Sequence, residues 1–151
     1  DTSSLVFIAK LNIFGLVKNV FSKIRIPKQV SDELFKKNSP ENNILEHELK
    51  KYIKEETVGK IKELPLGEGE HPANTLCLEK NIKTLLSDDK KARTYARSLN
   101  LETIGVLGIL IWNLNHNKLS KKEFTDYLNK LIDSGYYLSP VVYNGIIKLI
   151  E

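Results

Sequence analysis

Between Leu66 and Arg97 the chain reads L-G-E-G-E-H-P-A-N-T-L-C-L-E-K-N-I-K-T-L-L-S-D-D-K-K-A-R-T-Y-A-R. The pattern is a turn, a helix, a short buried strand and a second helix. A short apolar strand held between two helices constrains the fold more than any other feature here. It buries both its faces only in a parallel α/β arrangement. In such a unit, strand ends and helix starts share one edge of the sheet. Glu70 stands where the first helix begins, and Asp88-Asp89 stand where the strand gives way to the second helix. Topology is therefore expected to bring these carboxylates together.

The rest of the chain repeats the alternation. Thr2 to Ser4 can cap a helix whose apolar face is Leu5, Ile8, Ala9 and Leu11, and a second short helix with Leu16, Val17 and Val20 follows a break near Asn12 to Gly15. Lys23 to Pro27 reads as a short strand. Lys28 to Lys37 reads as a helix that Pro27 helps to start, with Glu33 beside its apolar face. Asn43 to Glu56 reads as an exposed amphipathic helix, its acid and lysine spacings forming a solvated face, and Thr57 to Leu64 as a strand. After Arg97, Glu102 to Gly105 is a last short strand and turn, and Val106 to about Asn115 is a helix. Ser120-Lys121-Lys122-Glu123 is a capping box that opens another helix, and Ser139-Pro140 opens the last. The expected architecture is a single α/β domain over residues 1–151, with a parallel sheet, helices on both faces and a helical C-terminal part.

Composition excludes several classes. The 151 residues carry a net charge of +4 and a single cysteine, Cys77, so no internal disulfide can form and a reducing cytoplasm is the expected compartment. Cys77 falls in the apolar pattern of a helix and is expected in the core. The longest apolar run, Ile104 to Leu114, is shorter than the roughly 20 residues a bilayer requires, so no membrane role is expected. Gly67 and Gly69 lack the rest of a phosphate-binding loop, no nucleophile elbow is present, and His47, His71 and His116 lie far apart without ligand spacing. The chain opens at Asp1 and contains no methionine, and a few residues are expected upstream.

Carboxylates remain. Asp1, Glu33, Glu70 and Asp89 all fall where a parallel sheet places its C-terminal edge. Clustered carboxylates repel one another unless a cation lies between them, and oxygen-only ligands select Mg²⁺ or Mn²⁺. Such an ion serves phosphodiester hydrolysis. Each acid taken singly also suits a helix first turn, where the helix dipole favours negative charge.

The ordered fragments resemble a PIN domain, a three-layer α/β/α fold with a central parallel sheet. D-T-S-S-L-V-F-I-A-K at Asp1, I-P-K-Q-V-S-D-E-L at Ile26, L-G-E-G-E-H-P-A at Leu66 and L-L-S-D-D-K-K-A-R at Leu85 resemble that family's four motifs. T-I-G-V-L-G-I-L and I-D-S-G-Y-Y-L-S-P-V-V-Y resemble one subgroup of PIN-like nucleic-acid-binding proteins. The resemblance implies a metal-dependent endoribonuclease similar to the toxin half of VapC-type toxin–antitoxin pairs. By it, Asp1, Glu33, Glu70 and Asp89 would hold Mg²⁺ or Mn²⁺ for attack of an activated water on RNA, and Asp88 could share the role of Asp89. Ser3 and Ser87 would support the site, and Lys90, Lys91, Arg93 and Arg97 could contact the RNA backbone. A small antitoxin and a homodimer are the implied partners. In the family the first acid follows a central strand, which residues ahead of Asp1 are expected to supply. The alternative is a catalytically silent PIN-like module that binds RNA or a protein.

Overall fold

The computed structural model describes residues 1–59 and 72–151. Its first helices are α1 (Thr2–Leu11) and α2 (Phe14–Val20). Asn12, in the left-handed conformation at φ 53°, ends α1 and makes the break between them. Asparagine tolerates that backbone better than other side-chain-bearing residues do. The chain continues through β1 (Ile24–Pro27), α3 (Lys28–Phe35), α4 (Asn42–Lys51) and β2 (Ile53–Glu56). It resumes with α5 (Pro72–Glu79), β3 (Thr84–Leu86), α6 (Lys90–Ser98) and β4 (Glu102–Ile104). Three helices close it: α7 (Val106–Asn115), α8 (Lys121–Asp133) and α9 (Pro140–Ile150).

The fold is α/β, and its strands pair in parallel as expected. Among the described residues they form two two-stranded sheets, β1 with β2 and β3 with β4. Ile24 lies opposite Ile53 in the first pair, and Thr84 opposite Glu102 in the second.

One stretch departs from the sequence reading. Asn43 to Glu56 is not one helix. The helix stops at Lys51, and Ile53 to Glu56 is a strand. The strand expected at Thr57 to Leu64 is absent from residues 57–59, and its remainder lies outside the described residues. The cause is tertiary. Tyr52 and Ile53 are buried, and pairing with β1 satisfies a backbone that local propensity would have left helical. Nor is the acidic face of α4 wholly solvated. Glu48 is buried and pairs with Lys18 at 2.8 Å.

Among the described residues, the apolar side chains gather into two cores. The larger includes Leu5, Ile8 and Val17 of the first two helices, Ile24 and Ile53 of the first sheet, and Ile109, Leu110, Phe124 and Leu131 of the closing helices. The smaller gathers Cys77, Leu85, Ala92, Ala96 and Leu101. Cys77 is thus a core residue, and burial pushes its thiol up to about 11. Asn113, fully buried between α2 and α7, donates to the Leu16 and Ile109 carbonyls and accepts from Asn19.

Candidate active site

Asp1 is the N-cap of α1. Its Oδ1 accepts from the Ser4 backbone N–H at 2.8 Å and from Ser3 Oγ at 3.0 Å. Its Oδ2 accepts from Ser87 Oγ and from the Asp89 N–H at 3.4 Å. One carboxylate therefore joins the start of α1 to the loop between β3 and α6. The Asp1 backbone nitrogen donates to the Leu86 carbonyl at 2.6 Å.

Asp89 caps α6 in the same way, accepting from the Ala92 N–H at 2.6 Å through Oδ1. A carboxylate in this place satisfies helix N–H groups and faces the positive end of the dipole. Glu33, exposed on α3, accepts from Thr2 Oγ1 at 2.7 Å through Oε2. Three acids from distant parts of the chain, Asp1, Glu33 and Asp89, thus line one cleft of about 340 Å³ together with Ser3, Ser87 and Asn74. Glu70 lies outside the described residues, as does His71. The cleft is bordered by Pro72 and Ala73 at the start of α5.

Asp88 faces elsewhere. Its oxygens accept from Ser4 Oγ at 2.6 Å, from Tyr136 Oη at 2.6 Å, and from the Val106 N–H at 3.1 and 3.2 Å. Its own N–H donates to Ser4 Oγ at 3.0 Å. The approach is close enough to require glycine at position 105, where an added Cβ would stand 2.2 Å from Asp88 Oδ1. Burial, then the Asp88 carboxylate, pushes the Tyr136 phenol well above its ordinary range. With Ser3, Phe7, Asp89 and Tyr137, Asp88 and Tyr136 line a second cleft of about 320 Å³.

Lys90, Lys91 and Arg97 are exposed on α6, next to Asp89 in sequence. Arg93 is half-buried, and its Nε has no hydrogen-bond partner. His47 is exposed, and His116 stacks on Trp112 with ring centroids 3.7 Å apart.

The donor set is all oxygen, which is the chemistry that hard divalent cations require. A further oxygen that sequence reasoning missed fits the same demand. Asn74 is 1 % exposed and lines the cleft, and its Oδ1 has no hydrogen-bond partner. A polar residue interrupting the apolar face of α5, beside Leu76 and Cys77, was its signal. Among the described residues, no three Asp, Glu, His or Cys side chains are disposed to share one ion.

Parallel strand pairs, helices around them and a cleft lined by carboxylates define an α/β protein with an acidic cleft. A family model described as a PIN domain matches residues 1–151, and the chain belongs to that family. PIN domains commonly have nuclease activity, typically with Mg²⁺ or Mn²⁺, and commonly bind RNA or antitoxins. No curated protein and no solved structure was found to match the chain. Among the described residues, no single helix is long and apolar enough to cross a membrane.

Proposed function

We propose that this PIN domain is a metal-dependent endoribonuclease of toxin type, with Asp1, Glu33, Glu70 and Asp89 as the ligands of Mg²⁺ or Mn²⁺. The observation that carries the reading is the meeting of Asp1, Glu33 and Asp89 around one cleft. When bound, the ion supplies a polarised water and neutralises charge on a phosphodiester. The chain's own groups set the stage. Ser3, Ser4 and Ser87 hold the Asp1 carboxylate from three sides. Thr2 holds one oxygen of Glu33, and the Ala92 N–H holds one oxygen of Asp89. Among the described residues this leaves Glu33 Oε1 and Asp89 Oδ2 for a ligand. Lys90, Lys91, Arg93 and Arg97 give α6 a cationic surface for an RNA backbone.

A small antitoxin and a second copy of the chain are the partners this reading implies, in a cytoplasmic setting. Tyr137 and Val141, each 82 % exposed, support a protein-binding face near the C-terminus. A catalytically silent RNA- or protein-binding role is the second reading, favoured by the lack of three described acids disposed around one ion.

The test is cleavage of an RNA pool with Mn²⁺, Mg²⁺ or EDTA by wild type, Asp89→Asn and Glu70→Gln. Expected are metal-dependent cuts that fall about 100-fold or more in either variant. Metal-independent cutting, or full activity in both variants, would sink the site. RNA binding without cutting by the antitoxin-free chain supports the silent module.

A further inference from the structure

The segment Gly135-Tyr136-Tyr137 is remote in sequence from the acids of the first cleft, and the fold returns it to their side. A Schellman motif ends α8. The Tyr136 N–H bonds the Leu131 carbonyl at 3.2 Å, and the Gly135 N–H bonds the Ile132 carbonyl at 2.9 Å. Gly135 supplies the positive φ of 90° that this turn requires. The turn delivers Tyr136 and Tyr137 to the second cleft, of about 320 Å³. Ser3 and Phe7, four residues apart on α1 and so on one face, form another side of it. Asp88 and Asp89 complete it.

Two of the rings are fixed in place. Phe7 and Tyr136 meet edge to face, with centroids 5.3 Å apart and planes at 77°. The Tyr136 hydroxyl donates to Asp88 at 2.6 Å, which holds its ring. Tyr137 lines the same cleft and is 82 % exposed. Val141, equally exposed on α9, does not line it. The polar lining is selective. It holds two carboxylates and no cation, so a phosphate is repelled. The Asp88 oxygens are already taken by Ser4, Val106 and Tyr136. Among the described residues there remain aromatic faces, with Ser3 Oγ and Asp89 Oδ2 as acceptors. Such a lining suits an uncharged planar ring with N–H groups at its edge. Cations stand outside the cleft. Lys10 Nζ lies 6.0 Å from the Phe7 centroid, and exposed Lys90 follows Asp89.

Ser3 and Asp89 line both this cleft and the acidic one, so the two are continuous. We propose that the second cleft is a nucleobase subsite, in which an unpaired base of single-stranded RNA stacks on Tyr137 while the neighbouring phosphate lies at the acidic cleft. The assignment rests on the reading of the acidic cleft as an RNA-cleaving site. Stacking needs only a π-face, so Tyr137 adds affinity for any base. It also needs a base that is out of a duplex, which makes the substrate single-stranded at this position. Tyr137 binds substrate and takes no part in breaking the phosphodiester.

The test is fluorescence anisotropy of a short single-stranded RNA in EDTA, with wild type, Tyr137→Ala and Tyr137→Phe. Tyr137→Ala should weaken binding about 10-fold, and Tyr137→Phe should stay within about twofold of wild type. Because Tyr137 is exposed, both variants should unfold as wild type does. Stacking carries no charge, so log affinity should fall with log salt at the same slope in wild type and Tyr137→Ala. An RNA of the same length without bases should bind all three alike. A Tyr137→Ala defect in a protein that binds RNA and cuts none supports the subsite, although the nuclease reading falls. Equal affinity of wild type and Tyr137→Ala overturns the subsite, and leaves the nuclease reading standing where Asp89→Asn abolishes cutting. A wild type that binds no single-stranded RNA, with Mn²⁺ or in EDTA, overturns it. So does a Tyr137→Ala defect that tracks a change from dimer to monomer in sedimentation, which assigns Tyr137 to a protein interface.

Discussion

Asp88 and Asp89 are adjacent, yet the fold gives them different work. Asp89 lines the acidic cleft, while Asp88 gathers donors from Ser4, Val106 and Tyr136. The Tyr136 hydroxyl is the one donor that can be removed without changing the ring. Tyr136→Phe keeps the edge-to-face contact with Phe7, whose centroid is 5.3 Å away. It should cost about 1.5 kcal/mol in urea unfolding at pH 7, the worth of a hydrogen bond to a charged group. The pH dependence has a definite sign. The fold raises the phenol above its ordinary value of 10.0, so it favours the neutral form. That contribution is fully present below pH 10 and is lost as pH rises toward the folded value. The stability gap between wild type and Tyr136→Phe should therefore shrink above pH 10. A gap that widens there would contradict the Tyr136–Asp88 bond.

At the scale of elements, β2 is the instructive case. Its sequence I-K-E-E has one apolar residue and continues the acid–lysine spacing of α4, so nothing local marks it as a strand. It is a strand because Ile53 pairs opposite Ile24 and is 2 % exposed. Ile53→Ala should cost about 2–4 kcal/mol in denaturant unfolding, whereas Glu55→Ala, on the exposed side, should stay within about 0.5 kcal/mol. By contrast β3 and α7 are legible, each holding an apolar run, and α8 announces itself by the Ser120–Glu123 capping box. The same division runs through the site. Asp1 and Asp89 could be read from their places at helix starts, and Glu33 from its place on the helix that follows β1. Ser4, Thr2 and Tyr136 could not, because Ser4 and Tyr136 meet Asp88 across 84 and 48 positions and Thr2 meets Glu33 across 31. No local pattern encodes such pairings.

For the whole molecule, the separation into two cores has an energetic reading. The small core of Cys77, Leu85, Ala92, Ala96 and Leu101 buries far less apolar surface than the large one. Burial of apolar area is the main favourable term in folding. The unit from α5 to β4 should open as a block at a lower free energy than α7 and α8. Native-state hydrogen exchange would show it, with the Ala96 and Leu101 amides exchanging before those of Ile109 and Leu110. Simultaneous exchange of both groups would mean a single cooperative unit.

The Asp88 junction also bears on the order in which the protein is made. It ties Ser4 to Val106 and to Tyr136, both far later in the sequence. Ser4 leaves the ribosome first among these partners and Tyr136 last. The loop bearing Ser87 and Asp89 therefore gains its last anchor only once Tyr136 has been made, and a chain stalled before Tyr136 carries all three described acids of the cleft without it.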